Sequence, residues 1–410
     1  MKKIIFNRVC RSGEGVRFLF LFTFFLFPHF LHAEASVPWM NEVKKLVSHG
    51  GIYVEDAKGK VLFEDAAQQD FMPASTLKVV TSLVALESLG RDYRFKTGVF
   101  LDAENNLYIK GYADPYLVSE ELDALSGELR QKGLKQVKDI ILDDSFFPAL
   151  QVPGASSSLN PYDALNSALS ANFNTIVIRK NKNGQIESAE AQTPMTELTR
   201  TLASKAKAGT DRINLAAHPE ESLLYVGHLL KAFLEAQKIP VNGTIRKGKV
   251  GEETKLFLAH ASSKNLAEVI QSMLKFSTNF IANQLFMTLG AGKYGVPATL
   301  EKGQKVVTEF LKTKVGLKNF YVEEGSGLSR KNQFSPLQMV QILRAFEKYK
   351  DLLPEKLEGI VAKTGTLSGV SCLMGYFDSP THKTVRFAIL LNQAAGNRER
   401  IAKILYKNLQ

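Results

Sequence analysis

The stretch Ser75-Thr76-Leu77-Lys78-Val79-Val80-Thr81-Ser82-Leu83-Val84-Ala85-Leu86-Glu87-Ser88-Leu89 opens on a serine and a lysine three positions apart. That spacing is one helical turn, so the two polar side chains share a face. Pro73-Ala74 ahead and Gly90 behind are start and stop signals for a helix over 75–89. Leu77, Val79, Val80, Leu83, Val84, Leu86 and Leu89 make it apolar most of the way round, which predicts a buried helix. A serine hydroxyl is a poor nucleophile until a base takes its proton. A lysine amine can take it once burial or another cation lowers its pKa. Read alone, the pair has a plainer alternative: an N-cap serine with a lysine snorkelling to solvent.

Two further patterns follow in order, Ser277-Thr278-Asn279 and Lys363-Thr364-Gly365. The first adds a hydroxyl and an amide, able to relay a proton and to hold a substrate amide. The second adds a strand-borne cation beside a glycine that allows close backbone approach. Imitations occur at Ser204 with Lys207, Ser272 with Lys275, Ser170-Ala171-Asn172 and Lys207-Ala208-Gly209-Thr210. Context separates them. No apolar helix backs Ser204, Ser272 and Lys275 fall inside an amphipathic helix, and Ser170 precedes a strand.

Around these motifs, residues 50–65 read as a hairpin on the turn Asp56-Ala57-Lys58-Gly59. Short strands are expected at 99–101, 107–109, 139–142 and 174–178, with one helix at 219–237. The remainder reads as helices at 266–289, 298–311 and 335–349, strands at 359–363, 370–377 and 385–391, and a final helix at 398–409. The simplest assembly is α/β: the early hairpin and the late strands form one antiparallel sheet flanked by helices. A β-rich domain is then inserted into it. The expected limits are a leader at 1–35, catalytic parts at 36–96 and 258–410, and the insertion at 97–257.

The 410 residues are 45% hydrophobic and 23% charged, which excludes disordered and low-complexity architectures. Two cysteines, Cys10 and Cys372, exclude a disulfide scaffold or zinc ribbon. The seven scattered histidines form no metal-ligand pair, so neither a metal nor a cofactor is expected. Lys2, Lys3, Arg8, Arg11 and Arg17 precede or flank an apolar run at 18–31, and Ala33-Glu34-Ala35 follows. This is the pattern of a cleaved export signal, with a retained anchor as its rival; the run is short for a bilayer span. Removal of 1–35 takes away five positive and two negative charges, lowering the formal charge from +11 to +8. An exported chain with no recognisable nucleic-acid motif is not expected to bind nucleic acid.

The ordered triple resembles that of the penicillin-binding proteins and serine β-lactamases. Glu324-Gly325-Ser326-Gly327-Leu328-Ser329-Arg330-Lys331-Asn332 narrows the match. It resembles the "DGSGLSRxN" loop of the S13 peptidases, the D-alanyl-D-alanine carboxypeptidase/endopeptidases related to penicillin-binding protein 4, with Glu324 in place of Asp. Asp143-Asp144-Ser145, Asn172-Phe173-Asn174 and the run Lys363-Thr364-Gly365-Thr366-Leu367-Ser368-Gly369 are similar to that family too. Its "GGGDPxL" segment is reduced to Lys110-Gly111-Tyr112-Ala113-Asp114-Pro115-Tyr116-Leu117. The 202 positions between Ser75 and Ser277 agree with an inserted domain.

The resemblance implies Ser75 as nucleophile, Lys78 as its base kept neutral by Lys363 and partial burial, and Ser277 as proton relay. It implies Asn279 on the substrate amide, Lys363, Thr364 and Thr366 on the terminal carboxylate, and backbone N–H groups of Ser75 and Thr366 as oxyanion hole. The implied partners are peptidoglycan stem peptides ending in D-Ala-D-Ala and β-lactams as covalent inhibitors. The implied location is the periplasm or cell envelope, where the positive charge would favour weak attraction to anionic polymers. A β-lactamase is the rival enzyme, although no ExxLN-type segment follows Ser277 to supply a deacylating glutamate. A catalytically silent wall-binding protein is the rival outside enzymology.

Overall fold

The early hairpin forms where expected. Asp56 Oδ1 accepts from the Lys58 and Lys60 N–H groups at 2.8 and 2.9 Å, and Gly59 takes a positive φ of 83°. This turn chemistry joins strands Gly50–Glu55 and Val61–Asp65. In this computed structural model, residues 37–156 and 161–410 are described, so the expected export signal at 1–35 lies outside them. Among the described residues no helix is long and apolar enough to cross a membrane.

The hairpin pairs with the C-terminal strands in a six-stranded sheet. Its order is Glu355–Leu357, Ile360–Leu367, Val370–Ser379, Lys383–Leu391, Gly50–Glu55, Val61–Asp65, and every neighbouring pair is antiparallel. Side chains alternate between its faces. Cys372, Met374, Tyr376, Ala388 and Leu390 join a core with the Ser75 helix and the helices from 266 onward. Leu373, Phe377, Phe387, Ile389 and Leu391 face a second core, under Val43 of helix Pro38–Lys45 and Ile401 and Leu405 of helix Arg398–Leu409. Strands covered on both faces read as nearly continuous apolar runs, as 385–391 does.

The middle of the chain builds a five-stranded sheet in the order Lys255–Ala261, Lys96–Leu101, Leu107–Gly111, Ile140–Asp143, Ile245–Lys247, and a three-stranded one. The five-stranded sheet is mixed, with two parallel pairs, Leu107–Gly111 on Ile140–Asp143 and Ile140–Asp143 on Ile245–Lys247. The segment between residues 101 and 255 is bracketed by two adjacent antiparallel strands, Lys96–Leu101 against Lys255–Ala261. It holds more helix than its strand-like texture suggests. Helix Ser119–Gln131 buries Leu122, Leu125 and Leu129 against helix Pro219–Ala236 and the sheet, and helix Glu197–Ala203 is capped by Thr196.

The expected single helix at 266–289 is two. Helix Leu266–Phe276 ends at Ser277, whose φ/ψ of 59°/37° is left-handed, and Asn279–Tyr294 starts anew after an extended Thr278. Continuous apolar periodicity hid the break, because both halves bury their faces in the same core.

Candidate active site

The turn that carries Ser75 is built by close backbone contact. Residues Ala74–Thr76 form a 3-10 turn ahead of helix Leu77–Leu89, with Ala74 at φ 47°. A Cβ on Gly327 (φ 83°) would lie 1.8 Å from the Ala74 carbonyl oxygen, and one on Gly365 would lie 2.7 Å from the Pro73 carbonyl oxygen. Only glycine lets the loop at 324–332 and the strand Ile360–Leu367 reach the turn that carries Ser75. Ser75 is half-buried and open to a substrate, whereas Lys78 is wholly buried. The N-cap-and-snorkel alternative therefore fails. The helix N-cap is Thr76 with no side-chain bond, and Lys78 reaches no solvent.

Lys78 Nζ donates to Ser75 Oγ at 3.0 Å, Asn279 Oδ1 at 2.7 Å and the Ser326 carbonyl at 2.8 Å. Burial pushes its ammonium down to about 7, and the Glu324 carboxylate opposes the fall. The expected cause was partial burial assisted by Lys363; here burial is complete. Lys363 Nζ donates to Ser277 Oγ at 2.9 Å and to the Thr364 carbonyl at 2.7 Å. Lys363 is pushed down to about 6 by burial first, then by the charges of Lys78, Lys356 and Arg398. The left-handed turn at Ser277 thus points a hydroxyl at one lysine while Asn279, at the head of the next helix, meets the other. Thr364 and Thr366 sit beside Lys363 on the strand, with Thr366 exposed. Hydrogen bonds join Ser75, Lys78 and Asn279, and Lys363 to Ser277, while Thr364 and Thr366 follow Lys363 along its strand.

The imitations lie elsewhere in different roles. Ser204 closes helix Glu197–Ala203, Ser170 bonds to Ser167 and Asn174, and Lys275 is exposed beside Phe276. Among the described residues no group of three or more His, Cys, Asp or Glu is arranged to hold a metal.

A D-Ala-D-Ala carboxypeptidase 3 (S13) family model matches residues 40–215, 209–355 and 351–407. The chain belongs to this family. This S13 chain is 27% identical over 423 residues to a D-alanyl-D-alanine carboxypeptidase of Actinomadura sp. (strain R39), covering 85% of this chain and 78% of that protein. It is 24% identical over 416 residues to the D-alanyl-D-alanine carboxypeptidase DacB of Haemophilus influenzae, covering 84% and 85%. Its fold is similar to that of penicillin binding protein 4 (dacB) from Haemophilus influenzae, with TM-score 0.74 and 20% identity over 90% of this chain and 99% of that one. It is also similar to that of a predatory peptidoglycan endopeptidase from Bdellovibrio bacteriovorus, with TM-score 0.53 and 17% identity over 87% and 90%.

Further residues shape this S13 site; Glu324 and Asp114 stood in the quoted segments without an assigned role, and the others were not singled out from the sequence. Glu324, wholly buried, accepts from Ser326 N and Oγ, Gly327 N, Ser329 N, Asn283 Nδ2 and Asn332 Nδ2. It folds the 324–332 loop around one carboxylate and so fixes the carbonyl that Lys78 meets. Thr81 Oγ1 donates to the Gly325 carbonyl at 2.6 Å and Asn283 Oδ1 accepts from Gly325 N at 2.8 Å, stitching the loop to two helices. From the insertion, the Tyr162 carbonyl accepts from Asn279 Nδ2 at 3.2 Å, and Asn166 Nδ2 donates to the Phe280 carbonyl at 2.9 Å. Between these segments runs a cleft of about 660 Å³, lined in part by Tyr116, Tyr162, Phe173, Phe276 and Asn279. The reduced segment at 110–117 still places a buried Asp114, whose Oδ1 accepts from Tyr116 N at 2.8 Å. Arg398 caps the far side, donating to Thr366 Oγ1 at 2.7 Å. Glu324 and Asp114 meet most of their partners within their own short segments, whereas Thr81, Asn283, Tyr162, Asn166 and Arg398 meet theirs only through the fold.

Proposed function

We propose that the chain is a serine-type D-Ala-D-Ala carboxypeptidase that cleaves peptidoglycan stem peptides through an acyl-enzyme on Ser75. The reading rests on one observation above others: a wholly buried Lys78, pushed down to about 7, donates to Ser75 Oγ at 3.0 Å. An amine with that pKa is neutral in a useful fraction near pH 7 and can accept the hydroxyl proton. Ser75 Oγ attacks the carbonyl between the two D-alanines as Lys78 takes its proton. The backbone N–H groups of Ser75 and Thr366 hold the oxyanion. The tetrahedral intermediate collapses, the C–N bond breaks, and the proton held by Lys78 is relayed through the Ser277 hydroxyl to the leaving amine, so that D-alanine departs and Lys78 is neutral again. Asn279 holds the substrate amide, and Lys363, Thr364 and Thr366 take the terminal carboxylate. Water then adds to the ester, Lys78 again taking the proton, and Ser75 is released.

The same reading extends to D-Ala–diaminopimelate cross-links and to β-lactams, whose ring amide opens on Ser75 and keeps its leaving group tethered. In support, a form of the Bdellovibrio bacteriovorus endopeptidase is known acylated by penicillin G. The reading includes export directed by residues 1–35 to the periplasm or cell envelope, catalytic parts at 36–96 and 258–410, and the insertion at 97–257. A formal charge of +8 then favours weak, salt-sensitive attraction to acidic wall polymers. The test is labelling with a fluorescent penicillin, with D-alanine release from a diacylated D-Ala-D-Ala peptide measured in parallel. Wild type should label stoichiometrically and release D-alanine, and Ser75→Ala should do neither. Label on the alanine variant would overturn the nucleophile, and rapid turnover of a cephalosporin would indicate a β-lactamase.

A further inference from the structure

Helix Arg398–Leu409 begins with a cation, at the end where the helix dipole disfavours positive charge. Its side chain nevertheless reaches back over the strand that carries Lys363. Among the described residues its acceptors are all neutral: the Gly365 carbonyl at 2.6 Å, Thr366 Oγ1 at 2.7 Å and the Cys372 carbonyl at 3.4 Å. Lys363 also meets only neutral acceptors, the Ser277 hydroxyl and the Thr364 carbonyl. One strand end therefore carries two basic side chains flanking Thr364 and Thr366, with no carboxylate bonded to either. Arg398 already acts on Lys363 electrostatically, helping to push its ammonium down. Such a concentration of donors and positive charge beside an exposed hydroxyl suits an anion.

The hydroxyl geometry adds direction. A threonine hydroxyl has one proton and two lone pairs. Since Arg398 occupies a lone pair of Thr366 Oγ1, the hydroxyl proton is left for an acceptor on the open side of the strand. We propose that Arg398 is a positioning residue: it turns the Thr366 hydroxyl proton toward the substrate's terminal carboxylate and adds the charge that makes the site select a free acid there. This rests on the reading of Thr366 proposed above. The plainer role is a clamp, since Gly365 and Cys372 are register partners on adjacent strands and Arg398 ties both to the C-terminal helix.

Acylation by benzylpenicillin and by its methyl ester separates the two roles, because only the first presents a carboxylate. Second-order rates are read by intact-protein mass spectrometry on the full chain. Arg398→Gln should slow benzylpenicillin by about ten- to a hundredfold and the ester by less than about twofold, so that the preference for the free acid collapses. Arg398→Lys should recover part of it. Thr366→Val should lose part of the same preference, and the two losses should combine less than additively, because the hydroxyl part of the Arg398 effect acts through Thr366. On a D-Ala-D-Ala peptide the loss should lie mainly in KM. An equal loss with acid and ester, or no loss with either, would overturn the proposal in favour of the clamp. If Arg398→Gln does not fold, Arg398→Lys and Thr366→Val carry the same comparison. Wild type that fails to acylate at Ser75 overturns instead the reading of the site on which this rests.

Discussion

Lys78 Nζ donates to Asn279 Oδ1 at 2.7 Å, joining the first and second motifs across 201 positions of chain. With the bonds to Ser75 and Ser326, it holds the lysine in a dry socket made from three separate segments. The socket sets the proton affinity of the amine, and the pH dependence of the site follows from it.

The proposed acylation requires the neutral amine, and burial pushes Lys78 down to about 7. The penicillin-labelling rate should therefore rise about tenfold per pH unit on the acid side and level off above about 7. Rates measured from pH 5 to 9 check this. A limb centred near the ordinary lysine range would mean that the socket does not lower the pKa.

Glu324 is the charge that opposes the fall at Lys78. Glu324→Gln keeps much of the loop's shape and removes that charge, so the acid limb should move to lower pH. Glu324→Asp keeps the charge and should leave the limb in place even where its shorter reach costs stability. Labelling profiles of the two variants side by side distinguish charge from fit.

Gly327→Ala should cripple both fold and labelling. The new methyl would meet the Ala74 carbonyl at 1.8 Å, and φ there is 83°. Gly369 also has a positive φ, 73°, but nothing lies within 4 Å of its added Cβ. Gly369→Ala should cost only the backbone strain, about 1–2 kcal/mol. Thermal unfolding of the pair reads the difference, which is the contact energy at the turn that carries Ser75.

Away from the site, Glu55 is wholly buried between Arg344 and Arg386, with Arg386 Nη1 3.1 Å from its carboxylate. Glu55→Ala removes one of two carboxylates on Arg386, which keeps Glu347 at 2.9 Å, and should cost about 1–3 kcal/mol. Denaturant midpoints measure it. The pH limb of labelling should not move, since neither arginine touches Lys78.

The chemistry was more legible in the sequence than the architecture that aims it. Ser75, Lys78, Ser277, Asn279 and Lys363 stood out because each sits in a short pattern at fixed spacing. The sheet was legible from the hairpin and from long apolar strands buried on both faces. Ser277 was legible as a motif residue but not as a helix break, since no glycine or proline marks its left-handed turn. Helix Ser119–Gln131 has leucines at 122, 125 and 129 but was lost among short strands. Tyr162, Asn166 and Arg398 act through partners 32 to 117 positions away, which no local pattern encodes, whereas Glu324 stood in the quoted loop without its role being legible.

The pairing of Lys96–Leu101 with Lys255–Ala261 has an evolutionary consequence. Their ends stay side by side whatever lies between them, so the host sheet is indifferent to the length of its guest. Each doubling of the intervening chain raises the closure cost by only about 0.6 kcal/mol. The segment between the two strands can therefore change in length, and with it the wall of the cleft that Tyr162 and Phe173 line, at little cost to the strands that bracket it.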